Sequence, residues 1–452
     1  MSENSLGSHI GYSEVVEVTT DGNDPSQNNG VTVYKFTNFD NGHEDEPFFA
    51  TLQETRSPFE PYNSKALERG HLLGKKVYDV SGRLIAEDVY EYAALNQDHV
   101  RAIKASAIYL CRSDNKVLEG TAYKINTYQY KPKRKYNYLY SYTADNQQKS
   151  ILTTTAYSYT DFGQLEQETI SQSNGQEKIV TYKYPYSQHL IKNLASSAAT
   201  ALNKMLEINM LPVIEKQEAN NTKGATLLER YNFRVESNKV VPDNVQVSLG
   251  DVNLLETRYS FHYYDEAGNL SEESKAGDMH HATLWGYGKT LPIARVTNAT
   301  VGGPIPNVFH TSFEDVISPE VVSGDARTGA KSYNGTYLIN LPAQNGTYNL
   351  SWWSRPVNNN GWELNKQSII ISNGSPAFIS IGSASENIDE VRLYPENAQV
   401  TTYTYDPIIG MTSSTDANNV TTYYEYDAFG RLERVIDNKG DIVKNYHYNF
   451  MK

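Results

Sequence analysis

The chain has 452 residues, enough for two or three domains with a sizeable core. Its net charge of −13 argues against nucleic acid and anionic membrane as main partners, because both are held through excess Lys and Arg. Its one cysteine, Cys111, excludes an intrachain disulfide, and no apolar run reaches membrane-spanning length. The 35 Tyr against 13 Phe and 4 Trp, with 29 Gly and 17 Pro, predict an all-β chain rich in turns. Tyrosine buries a ring while its hydroxyl stays wet or bonded, which suits sheets solvated on one side or lining a hollow.

Met1 to Gly7 lacks the charged-then-apolar form of a signal peptide. Strands are expected at Ser13 to Thr20 and Val31 to Thr37, around the polar loop Asp21 to Gly30. Glu44-Asp45-Glu46 reads as a solvated acidic turn. Cys111 ends the apolar run Ala107 to Cys111, which suits a buried thiol rather than a nucleophile. Lys131-Pro132-Lys133-Arg134-Lys135 lies between Thr127 to Tyr130 and Tyr136 to Tyr140, and reads as a charged hairpin loop between two tyrosine strands. Ile191, Leu194, Ala198, Leu202, Met205 and Leu206, closed by Pro212, predict one amphipathic helix over residues 190–211. His280 and His281 are neighbours on an expected strand and point to opposite faces, so they cannot easily hold one metal together.

A repeated phrase organises the rest. Tyr426-Asp427-Ala428-Phe429-Gly430-Arg431-Leu432 recurs as Tyr78 to Leu84 and Tyr264 to Leu270. Tyr159 to Leu165 has Thr160 in place of Asp, and Tyr405 to Met411 has one extra residue before Gly410. Asp at the first turn position bonds the turn amides, and Gly at the fourth accepts the twist that follows. Tyr405, Tyr426 and Tyr448 stand 21 and 22 residues apart, so the fold is read as tandem hairpins.

These residues resemble the RHS/YD-repeat family, whose signature is a Tyr-Asp-x-x-Gly-Arg-Leu hairpin, a second turn (here Asn438-Lys439-Gly440) and a Tyr-x-Tyr strand opening the next unit. The match is close over 403–452. With Trp285-Gly286-Tyr287-Gly288-Lys289-Thr290-Leu291-Pro292-Ile293-Ala294, the arrangement looks like RHS-repeat proteins of Bacteroidetes-type bacteria. The resemblance implies a hollow β-shell, secreted or at the cell surface and associated with a toxin, and a chain that enters the repeat pattern in mid-array. It also implies other YD-repeat segments of the same or a longer chain as partners.

Between 305 and 397 the Tyr-Asp grammar stops, and Asn334-Gly335, Asn345-Gly346 and Asn373-Gly374 predict the turns of a β-sandwich. Its edges resemble jelly-roll carbohydrate-binding modules: Ser312-Phe313-Glu314 as opening strand, Tyr348 to Arg355 as a middle strand, Ile388 to Leu393 as closing strand. That resemblance implies one structural Ca²⁺ held by Glu314 and Asp389, with backbone carbonyls completing the six to eight or so oxygens the ion takes. Alternation puts Tyr348, Leu350 and Trp352 in the core and Trp353 on the outer face. Trp353 and Trp362, the latter beside the polar loop Asn358 to Gly361, are the candidate sugar-stacking residues.

Gly324 to Ser332 approaches a phosphate loop, but Ala330 separates Gly329 from Lys331 and strand-like residues follow, so no cradle forms. No metalloprotease, thiol-pair, nucleophile-elbow or dinucleotide motif occurs. The sequence therefore predicts an all-β chain: a YD-repeat antiparallel sheet or partial β-shell over 1–304 and 398–452, an inserted jelly-roll-like sandwich over 305–397, and one amphipathic helix. The expected role is a non-enzymatic structural or encapsulating part, shell wall or adhesion segment, with no catalytic residues, no nucleic acid and no membrane insertion. Carbohydrate binding through residues 305–397 is the first alternative, and a hydrolase with an unrecognised carboxylate pair is the second.

Overall fold

The computed structural model describes residues 11–20, 28–46, 63–109, 116–221, 224–250, 253–302, 306–357 and 361–448. Cys111, the N-terminal heptad and Asn358 to Asn360 lie outside these residues. The chain is all-β, as expected, and divides into two compact units: Met1–Ser187 with Pro212–Glu229 and Ser248–Leu254, and Gln188–Leu211 with Arg230–Val247 and Leu255–Lys452.

In the first unit the strands are β1 (Glu14–Thr20), β2 (Asn28–Phe36), β3 (Leu72–Tyr78), β4 (Leu84–Leu95), β5 (His99–Tyr109), β6 (Lys116–Asn126), β7 (Gln129–Tyr142), β8 (Gln148–Tyr159), β9 (Leu165–Gln172), β10 (Glu177–Lys183) and β11 (Glu215–Asn220). Antiparallel pairing runs β1-β2-β3-β4-β7-β8-β9-β10-β11, with β5 and β6 forming a hairpin of their own. The basic run Lys131 to Lys135 is not a hairpin loop but lies inside β7. Pro132, which has no amide to donate, falls at the bulge opposite Tyr92. The run's charge is met from β4, Lys135 lying 3.3 Å from Asp88 and Arg134 4.0 Å from Glu91.

β12 (Gly224–Glu236) follows β11, and the second unit holds α1 (Ser196–Glu207), which precedes β11, together with β13 (Lys239–Ser248), β14 (Glu256–Tyr264), β15 (Leu270–Lys275), β16 (His280–Gly286) and β17 (Leu291–Thr297). The helix is shorter than predicted and buries Ala198, Ala201, Leu202 and Met205, while Leu206 is exposed. Ala198, Leu202 and Met205 of the expected face are thus buried, joined by Ala201. β18 (Phe309–Thr311), β19 (Val321–Ser323), β20 (Lys331–Asn334), β21 (Tyr337–Asn340), β22 (Gly346–Pro356), β23 (Glu363–Ile371), β24 (Phe378–Ile381) and β25 (Glu386–Pro395) follow. The chain ends on β26 (Gln399–Asp406), β27 (Gly410–Thr415), β28 (Thr421–Tyr426), β29 (Leu432–Ile436) and β30 (Ile442–Asn445).

The repeat strands pair in chain order from β13 to β17. β26 then lies directly on β17, with Ala294 opposite Thr402, and the order continues to β30. Strands β18 to β25 thus form an excursion whose two ends are neighbours in one sheet. Within it, β19-β20-β25-β22-β23 make one sheet, with β18 on β25, and β21-β24 make another. Phe313, Tyr348, Leu350, Ile388, Val391 and Leu393 meet Ile339 and Ile381 of the smaller sheet in one apolar cluster. Trp352 packs against that cluster, as strand alternation predicts. Ser312 to Glu314 is not a strand: β18 stops at Thr311, and buried Phe313 turns at φ 61°.

Candidate functional site

The recurrent hairpin is the first site, because its chemistry is spent on shape. In Asp427 the carboxylate Oδ1 accepts from the amides of Phe429 and Arg431 at 2.9 and 3.0 Å, and Oδ2 accepts from Arg431 Nε at 2.8 Å. Asp79 repeats this with Ser81 and Arg83. Gly430 sits at φ 72° and Gly82 at 77°, the left-handed region the turn requires. The Tyr pairs with the residue six positions on in all five units: Tyr78 with Leu84, Tyr159 with Leu165, Tyr264 with Leu270, Tyr405 with Met411, and Tyr426 with Leu432. The Tyr405 unit therefore keeps the common length and register, and the residue inserted before Gly410 displaces the glycine by one position rather than lengthening the hairpin. The second turn is anchored by Asp437, whose Oδ1 accepts from Lys439 and Asp441, one residue ahead of the expected Asn438. Asp416, 21 residues earlier, does the same for Asn418 and Val420.

Four of the five hairpin tyrosines, with Tyr92, Tyr184 and Tyr448, also donate their hydroxyls to a carbonyl on the adjacent strand, a role not evident from sequence. Tyr92 bonds Leu72 O, Tyr159 bonds Pro132 O and Tyr184 bonds Leu165 O in the first unit. In the second, Tyr264 bonds Pro242 O, Tyr405 bonds Pro292 O, Tyr426 bonds Met411 O and Tyr448 bonds Leu432 O, all at 2.8 to 2.9 Å. Burial pushes the Tyr264 hydroxyl up to about 12, so it remains a donor throughout the ordinary pH range. Trp285 makes the same tie with Nε1 to Leu270 O at 3.0 Å.

The second site is the seam between the sandwich and the repeat strands of the second unit. Strict alternation along β25 would put Glu390 in the apolar core beside Ile388. Instead, pairing with β22 slips one residue opposite Trp352, and Glu390 takes φ 51°. The bulge returns Val391 and Leu393 to the core and gathers Asp389, Glu390 and Arg392, each at most 2% exposed, into one polar cluster. Arg392 donates to Glu390 Oε1 from Nε and Nη2 at 3.2 and 2.8 Å, to Asp416 O at 2.9 Å and to Thr402 Oγ1 at 2.5 Å. Thr402 in turn donates to Glu390, as does Thr328 at 2.9 Å. Burial alone would raise Glu390, but Arg392, His310 and the Thr402 hydroxyl outweigh it and hold the carboxylate at about 2. Beneath the sandwich the repeat strands present Thr402, Thr404, Ser413, Thr415 and Thr421, all fully buried and linked through Thr404–Ser413 and Thr415–Thr421 hydroxyl contacts.

Asp389 and Glu314, the expected calcium ligands, both turn to the loop between β19 and β20. Asp389 Oδ2 accepts from the amides of Arg327 and Thr328 at 2.8 Å, and Oδ1 accepts from Glu390 N at 2.6 Å. Glu314 Oε1 accepts from Ala330 N and Lys331 N, and Lys331 Nζ takes the Glu314 carbonyl at 2.6 Å. Burial, and then Glu390, push Asp389 well above the usual carboxylate range; burial raises Glu314 too. Carboxylates aimed at N–H groups, with an ammonium on a would-be carbonyl ligand, do not fit the oxygen cage that Ca²⁺ requires.

Trp353 stands off the apolar cluster, but the Arg327 guanidinium lies over its ring at 4.5 Å and also faces Tyr423 at 5.4 Å. Arg355 lies over Trp362 at 5.2 Å and pairs with Asp325. Each indole thus has one face covered by a cation.

Residues 410–442, from β27 to the start of β30, match the family model described as RHS Repeat. No curated protein matches the sequence. Similar solved structures include TcdB2-TccC3-Cdc42, 11% identical with a TM-score of 0.24, over 97% of this chain and 21% of that one. A porin-like protein from Bacteroides uniformis is 10% identical with a TM-score of 0.17, over 94% of each chain. These scores do not establish a common fold, and the chain spans about a fifth of the length of the first.

Proposed function

We propose that the chain is a structural segment of a secreted or cell-surface RHS-repeat protein, in which hairpins add strands in sequence and the sandwich is built into the wall. The observation that carries this reading is the recurrence of one hairpin chemistry, carboxylate-pinned turn plus tyrosine-to-carbonyl tie, from Asp79 to Tyr448. Repeats of this kind gain stability from their neighbours, so the natural partner is a further repeat segment of the same or a longer chain. The buried seam supports treating residues 305–397 as part of that wall, and the arginine-covered indoles give no support to a free sugar-binding module.

The test offers strand β30, which pairs with β29 and exposes Ile442 and Val443, to a synthetic peptide of residues 399–436. A photo-crosslinker at Val443 of the full chain should capture the peptide in antiparallel register, as strand addition demands. In parallel, chromogenic glycoside, ester and peptide substrates should show no turnover above buffer. Turnover that copurifies with the chain and vanishes on replacing one carboxylate would replace this reading with the hydrolase.

A further inference from the structure

A cleft of about 430 Å³ opens in the second unit between the turn after β17, the start of β22 and the end of β25. That volume lies toward the lower end of small-ligand sites, roughly 300–1,000 Å³. Its lining is dominated by carboxamides and hydroxyls, including Asn298, Gln344, Asn345, Thr347 and Asn397. Glu396 and His280 add one carboxylate and one imidazole. Lys and Arg are absent from that lining, which disfavours phosphates and other anions.

His280 is held rather than loose. Its Nδ1 lies 2.7 Å from Glu272 Oε1, and Glu272, 4% exposed, is itself fixed by the amides of Val301 and Gly302, both 2.8 Å from Oε2. The His262 ring stacks on it at 4.5 Å. A carboxylate on Nδ1 fixes the proton there and leaves Nε2 as an acceptor for a ligand hydroxyl. Part of the wall is also preset: Asn307 accepts from Thr300 N and donates to Gln344 Oε1. None of this is used by the repeat hairpins or by the seam.

We infer that this cleft binds a neutral polyhydroxylated ligand, a short saccharide, through Glu396, Asn345 and the oriented His280. A sugar hydroxyl both donates and accepts, so it matches walls that mix carboxamide, carboxylate and imidazole atoms. With no exposed aromatic platform in the lining, affinity falls near the millimolar range, about −4 kcal/mol. The site is separate from Trp353 and Trp362.

The experiment is saturation-transfer NMR and titration of the full chain with maltose, cellobiose and N,N′-diacetylchitobiose, each up to about 10 mM. At least one disaccharide should bind saturably. Glu396→Gln and Asn345→Ala, both at exposed loop positions, should each weaken it about tenfold with the thermal midpoint unchanged. Trp362→Ala should leave binding intact. Absence of binding for all three sugars, or binding that survives both cleft variants, or binding lost with Trp362→Ala, would each overturn the assignment.

Discussion

Removing the Arg392 guanidinium while leaving Glu390 in place tests the seam directly. In Arg392→Met the carboxylate stays buried but loses two of its charge-assisted donors, and Asp416 O loses its partner. Breaking a buried pair from one side costs about 3–5 kcal/mol. A double variant, Glu390→Leu with Arg392→Met, removes both charges and strands only the Thr328 and Thr402 hydroxyls and the carbonyls, a cost of about 1–3 kcal/mol. The double variant should therefore be more stable than Arg392→Met alone by about 2 kcal/mol, so the two changes do not add. All four tryptophans, Trp285, Trp352, Trp353 and Trp362, lie in the second unit, so urea unfolding followed by indole fluorescence reports on it. At about 2–4 °C per kcal/mol for a unit of this size, Arg392→Met should lower Tm by roughly 6–20 °C. A loss below about 1 kcal/mol, or strict additivity, would refute a seam held by this pair.

Four other outcomes follow from named contacts. Tyr264→Phe removes a hydrogen bond made by a buried side chain, 8% exposed, and should cost about 1 kcal/mol, whereas Tyr448→Phe, 44% exposed, should cost less than about 0.5 kcal/mol; paired urea midpoints compare them. Gly430→Ala meets no atom within 4 Å but forces a side chain to φ 72°, so its cost of about 1–2 kcal/mol is backbone strain alone and should be matched by Gly82→Ala. Glu390 is held below its unfolded value of 4.5, so its stabilising contribution is complete above that pH and lost as pH falls toward about 2. Glu390→Gln should flatten that acid limb in urea midpoints taken across it, and an unchanged slope would count against the seam. Adding Ca²⁺ or chelator should leave Tm unmoved, because Glu314 and Asp389 are committed to amides.

The hairpins were legible because turn chemistry is local. Asp427 and Gly430 serve residues within four positions, and that spacing is written in the chain. The tyrosine ties were not, because Tyr405 reaches Pro292 across 113 residues and only the register of β17 on β26 brings them together. The seam was hidden for a related reason. Its key residue, Glu390, leaves strand alternation at a bulge, and Asp389, read as a metal ligand by resemblance, turns out to cap the amides of Arg327 and Thr328. One signal was available: β26 alternates Val400, Thr402 and Thr404 against Tyr403 and Tyr405, so its buried face is hydroxylic and calls for a polar partner. The basic run in β7 was misplaced because Pro132 reads as a turn until a bulge and the acids of β4 are seen beside it.

Hydrogen exchange across β25 and β26 most directly tests whether the sandwich is part of the wall. Peptides covering 386–395 and 399–415 should open with the same free energy in wild type, since Arg392 and Glu390 tie one strand to the other's Thr402. They should separate in Arg392→Met. Independent opening of 386–395 in the wild-type chain would contradict the account and make the sandwich a separate module.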